Sequence, residues 1–362
     1  MTRFYSLKNI LAKNAQYNMI FGERSSGKTY AILKYGLENY VKTGKQMAYI
    51  RRYQEDFKGK RGQQLFAALI ANDEIRKLTK GQYTGVSYYA SKWYLSYVDE
   101  NTGKTVKDEN PFCFAFELGA QEHDKSISFP NITTIFFDEF LSRTTYLTDE
   151  FVLFCNVIST IVRHRDDVKI FMAGNTVNKY CPYFKEMGLT EIKTMQEGKI
   201  DVYTYGESNL KVAVEYANPS KKGKPSDVYF AFKNPKLQMI TGGRWEIGIY
   251  PHCPVKYTPQ EVIFTYFIYF DGDLLQADII AHEDLRFTFI HRKTTPIKNP
   301  DTDIIYSPEI SAKPNWKRRI TKPRTEGEKK IAEFFVKEKV FYQSNDIGEI
   351  VMNYLKWCGT AA

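Results

Sequence analysis

Cysteine is scarce: the 362-residue chain holds five, Cys113, Cys155, Cys181, Cys253 and Cys358, none in a C-x-x-C pair. Such isolated residues suggest neither a zinc site nor a disulfide framework, and read as reduced thiols in a core. Long apolar runs are missing too. No stretch approaches the ~18 consecutive apolar residues of a membrane-spanning helix. The N-terminal MTRFYSLKNILAKN has no sustained apolar segment with a cleavage site, so the expectation is a soluble, intracellular protein outside the signal-peptide pathway, with no membrane partner. There is no internal repeat. Acidic residues are the minority, 42 against 51 Lys and Arg, for a net charge of +9. That excess favours a polyanionic partner such as nucleic acid. The length allows about two domains, each with its own core.

What is present begins with GERSSGKT at 22–29, after the apolar Met19, Ile20 and Phe21 and before the helix-compatible Tyr30 to Leu33. The spacing fits G-x-x-x-x-G-K-[ST], in which glycines let backbone N–H groups wrap phosphates, Lys reaches the outer phosphates and Ser/Thr ligates Mg²⁺. Such a loop works where a strand ends and a helix begins, its N-terminus aimed at the anion. Gly22, Glu23, Arg24, Ser25, Ser26, Gly27, Lys28 and Thr29 are therefore candidates for ATP contact, and a chance glycine turn is the bland alternative.

The surrounding pattern is α/β. Strand QYNMIFG, the loop, a helix to about Val41, a Thr43-Gly44 turn and strand QMAYIRR make one βαβ unit and imply a parallel sheet. SKWYLSYV and FCFAFEL, around the turn-forming Asn101, Thr102 and Gly103, suggest a β-hairpin added antiparallel to that sheet. Parallel character returns with ITTIFFDE at 132–139, a helix from about Thr148 to Val162 and the strand VKIFMAG, ended by Asn175. IDVYTYG closes a domain spanning 1–206. The stretch 207–226, with Asn218, Pro219, Ser220, Lys221, Lys222, Gly223, Lys224, Pro225 and Ser226, reads as a linker. Beyond it, 227–362 reads as an α+β domain with strands DVYFAFK, RWEIGIYP, EVIFTYFIYF and LRFTFIHR before a basic loop and a terminal helix.

A phosphate loop needs a partner carboxylate at the end of a buried strand, and Ile135, Phe136, Phe137, Asp138, Glu139 supplies it. Asp138 is the candidate for holding Mg²⁺ and Glu139 for polarising the attacking water, against the alternative of a strand capped by two solvated acids. Together the two motifs indicate a Walker A and Walker B NTPase. Hydrolysis also needs positive charge on the γ-phosphoryl group. Arg24 competes in cis with Arg163 and Arg165, which end the helix after Walker B, where a helix-dipole role is the alternative. Asn175 is either a sensor of the γ-phosphate or a turn residue. Arg51 and Arg52, near the carboxyl edge of the sheet, restrain Glu139 until DNA arrives, contact DNA, or are simply solvated.

In the second domain, Asp271, Asp273, Asp278, Glu283 and Asp284 invite a two-metal nuclease reading. Such a site also wants an acid on an earlier strand, where EIGIYPH offers the flanking Glu246 and then Ile249, Tyr250 and Pro251. Aspartates around Gly272 are ordinary turn chemistry. Lys317, Arg318, Arg319, Lys322 and Arg324, within a basic run from Lys313 to Lys330 that includes Trp316, make a candidate phosphate-tracking surface or a solvated charge run.

GERSSGKT, YIRRY at 49–53, NITTIFFDEF at 131–140, VRHR at 162–165 and AGN at 173–175 together resemble the DNA-packaging (encapsidation) ATPase family of small tailed phages of the phi29 type, and FYQSNDIGEIVMNYLKW is similar to its C-terminal helix. The resemblance implies a RecA-like ASCE P-loop ATPase domain using ATP and Mg²⁺, working as a ring, usually a pentamer, at the portal (connector) of an empty prohead in the host cytoplasm and driving double-stranded DNA inward. A packaging RNA is a further partner left open. It implies the Walker roles for Lys28, Thr29, Asp138 and Glu139, and a trans finger for Arg163. Arg24 matches the loop arginine that related large terminases use in cis. It also implies that the C-terminal domain is a degenerate RNase H-like nuclease retained for nucleic-acid binding. The alternative is a large terminase with an active metal-dependent nuclease.

Overall fold

The computed structural model describes residues 5–119, 128–142, 146–176, 178–206, 208–218 and 248–358. The chain divides into two compact units, 1–142 with 149–245, and 143–148 with 246–362.

In the first unit a short helix, α1 (Lys8–Leu11), leads to β1 (Tyr17–Gly22) and α2 (Lys28–Thr43). Helix α2 starts after Gly27 and stops at Gly44, both left-handed, and buries Ile32, Leu33, Gly36 and Leu37 at helical spacing. There follow β2 (Gln46–Arg51), α3 (Lys60–Gln64), α4 (Ala67–Ala71), α5 (Glu74–Leu78), β3 (Gly85–Tyr89), β4 (Lys92–Val98), β5 (Thr105–Lys107), β6 (Cys113–Glu117), β7 (Ile132–Asp138), α6 (Glu150–Val162), β8 (Lys169–Asn175), α7 (Pro182–Glu186), β9 (Ile200–Tyr205) and β10 (Leu210–Ala217). The sheet runs β3-β4-β6-β2-β7-β8-β1-β10-β9, with β5 on β4. From β6 to β10 the neighbours are parallel, and β3, β4, β5 and β9 pair antiparallel. Central strands are buried on both faces, which explains their near-continuous apolar runs. Trp93, fully buried in the core with Phe66 and Phe112, donates its indole N–H to Gly62 O at 2.7 Å.

Two expectations need correction. The Asn101–Gly103 turn does not join SKWYLSYV to FCFAFEL but leads into the short β5; FCFAFEL contains β6, which pairs antiparallel with β4 as expected and parallel with β2 on its other side. A tight turn fixes only the strands flanking it. The stretch from 207 is also not linker throughout, because β10 fills 210–217 and pairs parallel with β1. Its charged Glu215 looks like surface in the sequence, yet it is buried and accepts the Tyr5 hydroxyl at 2.5 Å. Burial, opposed by this hydrogen bond, raises the Glu215 carboxyl above its ordinary range. Linker residues 219–226, the strand DVYFAFK and the RWEI of RWEIGIYP lie outside the described residues, and 248–250 form no strand.

The second unit contains β11 (Val262–Phe270), β12 (Asp273–His282), β13 (Leu285–Arg292), β14 (Ile305–Tyr306), β15 (Trp316–Lys317), α8 (Glu326–Val336), β16 (Val340–Tyr342) and α9 (Asn345–Trp357). The sheet order is β15-β14-β11-β12-β13-β16. Strands β11, β12 and β13 form an antiparallel meander, flanked by parallel β14 and β16. Asp271 and Gly272, at φ 52 and 84, form the two-residue turn between β11 and β12. Helix α9 buries Ile347, Ile350, Val351 and Tyr354, and Ser344 caps it by accepting from Ile347 N–H.

Candidate functional site

The order β2-β7-β8-β1 brings the ends of four parallel strands to one carboxyl edge, where ligands of open α/β sheets bind. Gly22, in register with Asn175 of β8 and Ala217 of β10, opens the loop from β1 to α2. A Cβ at Gly22 would lie 2.7 Å from Ala217 O. The neighbouring strand thus requires glycine at this position whatever the loop binds.

Lys28 folds over the loop, its ammonium donating to Glu23 O at 2.7 Å, Ser26 Oγ at 3.2 Å and Gly22 O at 3.4 Å. Burial pulls its pKa down to about 8, against the opposing attraction of Asp138 and Glu23. Thr29 Oγ1 donates to Asp138 Oδ1 at 3.1 Å, and Tyr49 OH donates to Asp138 Oδ2 at 3.2 Å. Burial raises the Asp138 carboxyl above its ordinary range, with Arg51 pulling the other way. Glu139 leaves the strand at φ 58, its side chain 57% exposed and its carboxylate 2.8 Å from Arg51 Nη2.

These residues fit a magnesium nucleotide. Thr29 and Asp138 offer adjacent hard oxygen donors, and Mg²⁺ keeps several waters and takes one or two carboxylates plus substrate phosphates. Among the described residues no three His, Cys, Asp or Glu side chains gather into a protein-only cage. Helix α2 begins without a side-chain cap, so its first N–H groups and the Lys28 ammonium converge where phosphate oxygens would bind.

Other candidates separate. Arg24 and Ser25 are exposed on the loop. Asn175 ends β8 between Gly22 and the Asp138 strand. Arg51 faces the site, bridging Glu139, Asp56 at 3.2 Å and Asp138 at 3.6 Å. Arg52 was a DNA-contact candidate, and the structure corrects this: it is 7% exposed and bidentate to Glu150, both contacts at 2.7 Å. Arg51 is the last residue of β2 and Arg52 the first beyond it, where the chain bends and carries the second guanidinium to Glu150 instead of the site. Arg163, exposed, caps the C-terminal end of α6. The neighbouring Arg165 donates to Pro130 O and Phe129 O, just ahead of β7. That is the amino edge of the sheet, about 20 Å from the phosphate loop across seven-residue strands. Arg163 is therefore not brought to the loop of its own chain, and Arg165 is held by carbonyls.

In the second unit, Arg318, Lys322 and Arg324 are exposed and Arg319 half-buried. Lys317 is drawn to Glu328 at 3.3 Å. The Arg318 carbonyl accepts the Tyr354 hydroxyl at 2.9 Å, anchoring this loop to α9. The aspartates do not converge: Asp273 pairs with Arg292, Asp278 with His291, Thr265 and Gln276, and Asp271 lies in the turn. Sequence reasoning missed Tyr49, Asp56, Glu150 and Tyr183. Tyr49 was accessible, two residues before Arg51 on the same strand face. Nothing local signals the other three.

A family model described as Podovirus DNA encapsidation protein (Gp16) matches residues 1–87 and 100–224. The DNA packaging protein of Bacillus phage phi29 is 27% identical over 184 residues, 50% of this chain and 49% of that protein. That of Bacillus phage B103 is 28% identical over 177 residues, 48% of each. The chain thus spans about half the length of the curated relatives it matches. Among solved structures, the bacteriophage Phi-29 viral genome packaging motor assembly superposes with a TM-score of 0.56 at 18% identity, covering 98% of this chain and 99% of that one. The Phi-28 gp11 DNA packaging motor gives 0.55 at 16%, covering 99% and 98%. At such identity the likeness speaks to fold, a mixed α/β chain with a parallel sheet. The family match covers more than half of the sequence, and the chain belongs to the podovirus DNA encapsidation protein (Gp16) family.

Proposed function

We propose that the chain is the ATPase subunit of a motor that drives double-stranded DNA into a preformed prohead. The observation that carries this is the convergence of Lys28, Thr29, Asp138 and Glu139 at one sheet edge, in a chain of the encapsidation family. Relatives named as DNA packaging proteins support it.

Lys28, on binding ATP, exchanges the carbonyls of Gly22 and Glu23 for phosphate oxygens. Thr29 and Asp138 would hold Mg²⁺, which when bound would neutralise charge on the phosphate oxygens. Glu139 orients the attacking water and accepts its proton once Arg51 lets go. Asn175 senses the γ-phosphate. Because Arg163 lies at the far edge of its own sheet, it serves the nucleotide of a neighbouring subunit, which requires a ring, a pentamer by family resemblance. Arg24 is the competing cis donor. The ring acts in the host cytoplasm, transiently on the portal vertex of the prohead, with a packaging RNA as a further candidate partner.

DNA is gripped through phosphates by Arg318, Arg319, Lys322 and Arg324, so binding is sequence-tolerant and salt-sensitive. Lys317 and Arg51, both held in ion pairs, reach DNA only if those pairs open. The second unit is a nuclease-like, RNase H-related domain without nuclease chemistry. Its meander flanked by parallel strands and the absence of an acid from β11 support this over the active-nuclease terminase.

The test mixes equal amounts of Arg163→Ala and Glu139→Gln chains and measures steady-state ATP hydrolysis with double-stranded DNA. An intact Glu139 and an intact Arg163 then meet only between chains. Hydrolysis above that of either variant alone is expected. No rescue, with Arg163→Ala alone fully active, refutes the trans arrangement and assigns the finger to Arg24.

A further inference from the structure

We propose that Arg52, Glu150 and Tyr183 form a buried brace that positions Glu139 for hydrolysis without themselves touching nucleotide. This rests on Glu139 being the residue that receives the proton of the attacking water.

Three separate elements meet behind one turn. Arg52 follows β2, Glu150 opens α6 and Tyr183 lies on α7. They are 7%, 2% and 0% exposed. Arg52 Nε and Nη2 grip the two Glu150 oxygens at 2.7 Å each, and the Tyr183 hydroxyl donates to Glu150 Oε1 at 2.9 Å. The rest of the guanidinium faces the Walker B turn: Nη1 donates to Glu139 O at 3.1 Å and Nη2 to Phe140 O at 3.0 Å. The guanidinium carbon also lies 5.8 Å from the Phe137 ring centroid.

The geometry explains why such a brace is needed. Glu139 adopts φ 58, a left-handed conformation that side chains other than glycine rarely take. The turn aims its carboxylate out of the sheet, and the carbonyls of Glu139 and Phe140 meet a guanidinium at the sheet's end. Only a planar fork can span two carboxylate oxygens and two carbonyls together, so lysine is no substitute. A buried ion pair is weak evidence for stability, since apolar side chains of similar volume often serve as well. What this pair does that apolar residues cannot is fix two carbonyls of the turn carrying Glu139.

The experiment compares DNA-stimulated ATP turnover, binding of a fluorescent ADP analogue and thermal unfolding in the full chain. Arg52→Lys should lower kcat about 10²-fold while nucleotide affinity stays within about twofold, because misplacement of a reacting group costs rate rather than binding. The paired variant Arg52→Met with Glu150→Leu, which leaves the Glu139 and Phe140 carbonyls and the Tyr183 hydroxyl without these partners, should still fold, with a lowered unfolding temperature, and turn over as slowly as Arg52→Lys. Tyr183→Phe, which removes one donor to Glu150, should fold normally and lose about fivefold in kcat with affinity unchanged. A folded paired variant with wild-type turnover would overturn the brace, as would loss of nucleotide affinity in step with kcat. Glu139→Gln is the control for the underlying assignment. If it turns over like wild type, Glu139 is not the catalytic carboxylate and the brace falls with it; if it is inactive, the Arg52 and Tyr183 results bear on the brace alone.

Discussion

Replacing Gly22 by alanine probes the junction on which the site is built. Gly22 lies between β8 and β10, in register with Asn175 and Ala217. An added Cβ would sit 2.7 Å from Ala217 O, and the residue has φ +154. Neither neighbour can recede without breaking a parallel ladder. Overpacking of this kind costs about 1–3 kcal/mol, and a backbone region reserved for glycine adds about 1–3 kcal/mol. The sum, about 2–6 kcal/mol, should lower the unfolding temperature by about 5–20 °C in a domain of this size. Gly44→Ala is the control: φ is +72, but nothing lies within 4 Å of the added Cβ, so it bears only the left-handed strain of about 1–2 kcal/mol. Thermal unfolding of both variants by circular dichroism separates clash from strain. If Gly22→Ala unfolds no earlier than Gly44→Ala, β10 does not pack against β1 as described.

Two further perturbations test other parts of the molecule. Arg51→Met removes the group that holds Glu139 at 2.8 Å, and the ratio of ATP turnover with DNA to turnover without it should shrink; an unchanged ratio would mean that Arg51 does not restrain Glu139. In the second unit, the hydrogen bond that His291 donates to the Asp278 carboxylate raises the His291 pKa, while burial, which alone would raise the Asp278 carboxyl, is outweighed by the hydrogen bonds it accepts from His291, Thr265 and Gln276, which lower it. The folded state thus holds the His291 proton more tightly than the unfolded chain, a contribution fully present below about pH 6.5 and lost as pH rises through the raised value. Wild type should exceed His291→Gln in unfolding temperature by more at about pH 5.5 than at about pH 8.5, and a constant gap would exclude the linkage.

The parts legible in the sequence are those whose signals are local. The phosphate loop, α2 and β2 follow one another along the chain, and Asp138 with Glu139 closes an apolar run, so spacing alone places them. The Asp271-Gly272 turn is equally local. Strand β10 was not legible: its Glu215 is tolerated in the interior only because Tyr5, 210 residues away, supplies a hydroxyl. The division of labour between Arg51 and Arg52 was not legible either, because β2 ends between them and the partners that hold Arg52, Glu150 and through it Tyr183, come from helices whose placement no local pattern fixes. The location of Arg163 at the amino edge required the sheet order itself.

The most direct test of the central claim is steady-state ATP hydrolysis with and without double-stranded DNA, in wild type and Glu139→Gln, alongside ATP binding. The account predicts hydrolysis stimulated by DNA in wild type, and ATP binding without turnover in the variant. Undiminished turnover in Glu139→Gln, or wild-type hydrolysis indifferent to DNA, would contradict it.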